Sequence, residues 1–122
     1  MTIFLGDHHA DAGLDQVLAG TGHEFSSFED GLDLYYAILA EPPDLIVLEL
    51  MLPSLDGFVL SRLVHFDSRL ARVPIVCLSW LEQPDLEERL GRLGCRHLVQ
   101  RPFDQAKLLK LVQDLLEQPA LA

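Results

Sequence analysis

No lysine or arginine occurs in the first 61 residues, which carry eleven acids and therefore a charge of −11. The remainder holds eight acids and all nine bases, so the net charge is −10. A chain without a basic cluster is repelled by phosphate backbones and anionic headgroups, which argues against direct nucleic-acid binding. Long hydrophobic runs are also missing: nothing approaches the roughly 18 unbroken apolar residues of a membrane span. The opening MTIFLGDHH lacks a basic region and reaches charge by Asp7, unlike a secretory signal, so a cytoplasmic protein is expected. Cysteine is scarce. Cys77 and Cys95 lie in apolar stretches with seventeen residues between them, far from zinc-ligand spacing, and read as small buried thiols.

What is present is 49% hydrophobic and arranged in short runs, enough for one compact domain. TIFL (2–5) suits a buried strand ending at Gly6 and Asp7. Leu14, Val17 and Leu18 then share a helical face that Gly20 and Gly22 stop. HEFSSF (23–28) alternates weakly as a second strand, and Asp30 can cap a helix bearing Leu32, Tyr35, Tyr36 and Leu39 up to Pro42. LIVLEL (45–50) is apolar on both parities except at Glu49, as a central parallel strand should be. A helix filled by Phe58, Val59, Leu60, Leu63, Val64 and Phe66 follows, then the strand VPIVCLS (73–79). A fourth helix is entered at Gln83 and Pro84 and ends at Gly91 to Gly94. RHLVQ (96–100) reads as a short strand, and the last helix, with Asp104 as its cap, runs through KLLKLVQDLLEQ.

Five strands alternating with five helices imply a parallel sheet covered on both faces. Ligands and chemistry gather at the carboxyl ends of such strands. Those ends are Gly6/Asp7, Glu49, Ser79/Trp80 and Gln100/Arg101.

PPDLIVLELMLPSLDGF, with Pro53, Asp56 and Gly57, together with VPIVCLS and GCRHLVQRPF, with Pro102 and Phe103, resembles the receiver domains of bacterial two-component response regulators. The likeness covers nearly the whole chain. It implies a flavodoxin-like three-layer (βα)5 sandwich with strand order 2-1-3-4-5, and a signal-transduction role. A working member of that family has an acidic pair after strand one, a phosphoacceptor Asp ending strand three, Ser or Thr ending strand four and Lys ending strand five. Here Gly6 stands for the first acid and only Asp7 remains, Glu49 occupies the phosphoacceptor position and Arg101 replaces the Lys, while Ser79 is retained. The usual aromatic three positions before the Lys is Leu98.

These departures bear directly on phosphoryl transfer, which depends on an in-line nucleophile and on neutralised oxygens. The extra methylene of Glu49 displaces its carboxylate by about 1 Å, an error that can cost about a hundredfold. The family's three acids against one Lys make about −2, whereas Asp7 and Glu49 against Arg101 make only −1, so weak Mg²⁺ binding at most is expected, and no cofactor. A guanidinium can fork onto a carboxylate, so a Glu49–Arg101 ion pair across the strand ends is expected, the alternative being two side chains pointing into water. Ser79 is read either as a switch-like hydroxyl or as a strand end bonding nearby backbone. Trp80 is read as a cover over the pocket mouth, an anchor for a partner, or ordinary half-buried packing.

Asp7-His8-His9 spells a metal-phosphoesterase motif and nearly fits a cobalamin pattern, but the accompanying motifs are absent. His8 and His9 read as solvated residues with at most weak metal affinity. The last helix carries more apolar positions than one stripe needs, so Leu98, Leu108, Leu109 and Leu116 are read as a partner face, for another protein or a second copy, against the plainer reading of core coverage. The sequence ends in EQPALA soon after that helix, and residues 1–122 are read as a single receiver-like domain without an output domain. The expected function is a non-enzymatic, phosphorylation-independent module acting by protein–protein contact. The alternatives are an unconventional phosphorylation-responsive regulator in a phosphorelay and a small flavodoxin-like ligand binder or enzyme.

Overall fold

The computed structural model describes residues 1–8 and 12–117. In chain order they form β1 (Thr2–Gly6), α1 (Ala12–Ala19), β2 (Glu24–Phe28), α2 (Gly31–Ala40), β3 (Leu45–Glu49), α3 (Gly57–His65), β4 (Ile75–Ser79), α4 (Leu86–Arg92), β5 (His97–Gln100) and α5 (Gln105–Glu117). The strands pair in parallel in the order β2-β1-β3-β4-β5. The flavodoxin-like fold and its strand order are as the sequence led us to expect. Strand order reverses direction between β1 and β3, so the crevice beyond their carboxyl ends is the topological switch point.

Strand periodicity divides the core. Phe4, Ile46, Leu48, Ile75 and Cys77 face α2, α3 and α4, whereas Ile3, Leu5, Leu45, Val47, Val76 and Leu78 face α1 and α5. Both thiols are buried and free. Cys77 Sγ lies 3.8 Å from Ser61 Oγ, and contact with the Cys95 thiol, then burial, pushes the Cys77 thiol up in pKa.

Helix entry follows the capping chemistry in the sequence. The Asp30 carboxylate accepts from the amides of Leu32 and Asp33, Asp56 from Val59 and Asp104 from Lys107. Two helical faces differ from expectation. In α2 the buried side chains are Leu34 and Ile38, while Tyr36 is 63% exposed. In α3 they are Leu60, Ser61 and Val64, and Phe66, one residue beyond the helix, is 69% exposed. Adjacent apolar residues in a short helix leave its orientation open, and packing against the sheet selects the stripe. Leu108 and Leu116 also require correction: both are buried against the β1–β3–β4 face rather than offered to a partner, while Leu98 and Leu109 are half-buried. The large apolar surface of α5 is used because the helix covers several strands and packs beside α1. His9 and the terminal QPALA, on which parts of the sequence reading rested, lie outside the described residues.

Candidate functional site at the strand carboxyl ends

The alternation that builds the core also builds the site. Ile3 and Leu5, Leu45 and Val47, Val76 and Leu78, and Val99 lie on the α1/α5 face. One step of two residues further along the same strands come Asp7, Glu49, Trp80 and Arg101. The strand ends are held by main-chain hydrogen bonds. Asp7 N–H donates to Phe28 C=O at 3.0 Å, Leu50 N–H to Leu78 C=O at 3.1 Å and Arg101 N–H to Ser79 C=O at 2.8 Å. The Arg101–Pro102 peptide bond is cis.

The expected pair forms. Arg101 Nη1 lies 3.2 Å from Glu49 Oε2, and Arg101 Nη2 lies 3.8 Å from Asp7 Oδ1. Glu49, Arg101 and Asp7 are only 1%, 5% and 6% exposed, so these charges meet away from bulk water, where Coulombic interactions are strongly felt. Two carboxylates thus share one guanidinium. Glu49 Oε1 also takes a long 3.5 Å hydrogen bond from Met51 N–H. The Arg101–Asp7 contact was not anticipated from sequence, although the shared strand parity of the two positions was a usable signal.

Trp80 is 57% exposed, with its ring centroid 5.8 Å from the Arg101 guanidinium carbon. It is therefore an open aromatic partner of the buried cation rather than a packed core residue. Ser79 is buried and its Oγ accepts from Leu81 N–H at 2.9 Å, the local backbone bond that was one of its two readings. Leu98 is a half-buried side chain packed against the α2–α3–α4 core. Among the described residues no group of three or more His, Cys, Asp and Glu could hold a metal ion.

Gly6 does more than lack a carboxylate. A Cβ built there would come within 2.7 Å of both Leu34 Cδ2 and Leu52 Cδ1. Core methyls thus fill the place from which a second acid would project. Gly6→Asp is expected to destabilise the protein by about 1–3 kcal/mol through overpacking alone, read by urea unfolding. A variant as stable as the parent would mean that Leu34 and Leu52 move aside freely.

The loop after β3 is lashed to the start of α2. Gly31 N–H donates to Pro53 C=O at 3.0 Å and Ser54 Oγ donates to Asp30, with Ser54 at φ 68°. The Asp30 carboxyl is held below its ordinary pKa, chiefly by that Ser54 hydrogen bond.

Comparison with known proteins agrees with this architecture. Residues 6–113 match the response regulator receiver domain family. The chain is 31% identical over 106 residues to the transcriptional regulatory protein GltR of Pseudomonas aeruginosa, covering 86% of this chain and 43% of GltR. It is 26% identical over 103 residues to the protein PilH of the same organism, covering 84% of this chain and 85% of PilH. The chain therefore spans less than half of GltR but most of PilH. Among solved structures, the signal receiver domain of a DNA-binding response regulator from Colwellia psychrerythraea superposes with a TM-score of 0.88 at 20% identity, over 97% of this chain and 99% of that one. A response regulator structure from Chloroflexus aurantiacus gives 0.86 at 23% identity, over 96% and 98%. No helix among the described residues is long and apolar enough to cross a membrane. With a family match over most of its length and the family's sheet order, this chain belongs to the response regulator receiver domain family, whose members are signal-transduction modules.

Proposed function

We propose that this receiver module signals by protein–protein contact without forming an acyl phosphate, and that it is not an enzyme. The observation that carries this reading is the buried 3.2 Å contact between Glu49 and Arg101 at the phosphoacceptor end of β3. Phosphoryl transfer to a carboxylate needs an oxygen free to attack in line and cations gathered on the transferring group. Here the carboxylate is one methylene longer than the family's acid and already engaged by a fixed cation. The same geometry fits Mg²⁺ poorly. A metal ion would have to displace a guanidinium that neighbours both carboxylates, and Gly6 supplies no side-chain oxygen ligand. Trp80, exposed beside this ion cluster, is the side chain through which its state reaches the surface, and a protein is the partner that an exposed tryptophan suits. Two buried, free thiols fit a reducing cytoplasm.

Trp80 emission provides the test, because the ring sits over Arg101. Titration with Mg²⁺ plus beryllofluoride or acetyl phosphate is expected to leave the emission flat and the intact mass unchanged. A saturable response with a phosphoryl adduct at Glu49 would overturn the proposal in favour of a phosphorylation-responsive regulator. An organic molecule retained at the strand ends through purification would instead favour a ligand binder.

A further inference from the structure

The opposite pole of the sheet, at the amino ends of the strands, holds a cavity of about 560 Å³. Its apolar lining includes Pro43, Val73, Pro74 and Leu115, drawn from the connections before β3 and β4 and from the end of α5. Its polar lining is mainly basic: Arg72, Arg96, His65 and His97. Asp44 is the one acid that lines it, and its Oδ2 accepts from Thr2 N–H at 2.7 Å.

In a chain of net charge −10 this concentration of bases is anomalous. Bases are few, and elsewhere several are matched: Arg69 with Asp67, Arg92 with Glu88, Lys110 with Asp114 and Arg101 with Glu49. Neither Arg72 nor Arg96 enters an ion pair or side-chain hydrogen bond among the described residues. Burial, then the neighbouring Arg96 charge, holds the His97 imidazole below its ordinary pKa, so the positive charge of the lining rests on Arg72 and Arg96. Guanidinium forks beside an apolar floor complement an anion joined to a hydrocarbon body, and the volume falls within the roughly 300–1,000 Å³ of small-molecule sites.

We propose that this polar-rimmed cavity binds a small amphipathic organic anion, a carboxylate or sulfonate on an apolar or aromatic body, with Arg72 and Arg96 taking the anionic group. The site lies at the other end of the strands from Glu49, so its failure and that of the signalling proposal are independent.

The probe is 8-anilinonaphthalene-1-sulfonate, titrated into the full chain at neutral pH. Saturable, one-to-one emission enhancement is expected, with amide shifts at Ile75 and His97. Arg72→Gln/Arg96→Gln should weaken binding at least about tenfold, as loss of charge-assisted hydrogen bonds implies. Both residues are exposed, so the fold should survive, with near-UV circular dichroism as the check. The uncharged N-phenyl-1-naphthylamine should bind more weakly and be indifferent to the double variant. Absence of saturation, or affinity for the sulfonate unchanged in a folded double variant, would overturn the proposal. So would amide shifts confined to other surfaces, or an acidic peptide that occupies the cavity while the sulfonate does not.

Discussion

Arg101→Met is expected to destabilise the protein by about 3–5 kcal/mol, the usual cost of removing one member of a buried ion pair. The guanidinium is the buried cation facing two buried carboxylates, Glu49 and Asp7. Its loss leaves two like charges out of water, whereas desolvating them together was partly offset by mutual attraction. Arg101→Lys should lose less, since a point charge remains but cannot fork between the two acids. Replacing the whole constellation, as in Asp7→Val/Glu49→Leu/Arg101→Met, should recover most of the loss, because apolar groups of similar volume often match a buried ion pair in stability. Urea unfolding of the set measures each step, and Trp80 emission should shift in every variant that removes the cation. A loss below about 1 kcal/mol for Arg101→Met, the scale of solvent-exposed pairs, would show that water screens the cluster.

The second large effect concerns the loop that carries the chain away from Glu49. Gly31 begins α2, and a Cβ there would overlap the Leu55 carbonyl oxygen. Backbone cannot rotate out of the way as a methyl can, and the Gly31–Pro53 hydrogen bond fixes the approach. Gly31→Ala is therefore expected to cost about 3 kcal/mol, at the top of the range for overpacking. It should also move the 50–56 loop and alter the Met51–Glu49 contact. Gly91, inside α4, is the internal comparison: nothing lies within 4 Å of a Cβ there. Gly91→Ala should stabilise by about 0.5–1 kcal/mol through the helix preference for alanine. Thermal unfolding of both variants separates the two cases. Equal effects would mean that the contact with Leu55 relaxes at little cost.

Much of the site was legible because strand period is a local property. Glu49 interrupts LIVLEL at the end of an otherwise apolar run, and Arg101 follows VQ at the end of β5. A parallel sheet brings strand ends together, so the pairing of these two followed from topology and complementary charge. Asp7's share of the same guanidinium depended on actual distances, which the sequence does not encode locally. Ser79 shows the same limit: its hydroxyl had two acceptable partners, and the bend of the chain after β4 directs Leu81 N–H to it.

Helical faces were less legible than strands. The runs LDLYYAIL and FVLSRLVHF contain apolar residues around most of the helix, and only contact with the sheet selected Leu34 and Ile38, or Leu60 and Val64. The same three-dimensional packing drew Leu108 and Leu116 inward, filled the space beside Gly6 with leucine methyls and gathered Arg72 and Arg96 around one cavity.

From sequence alone came the five alternating units, the sheet order through family resemblance, the acidic first half and the unusual acid and base at the strand ends, because these depend on residue type, period and order along the chain. The tertiary structure decided which apolar faces are buried, how one guanidinium serves two carboxylates and where unmatched bases converge. Each of those depends on distances between residues far apart in the chain, and those distances exist only once the sheet and helices have packed.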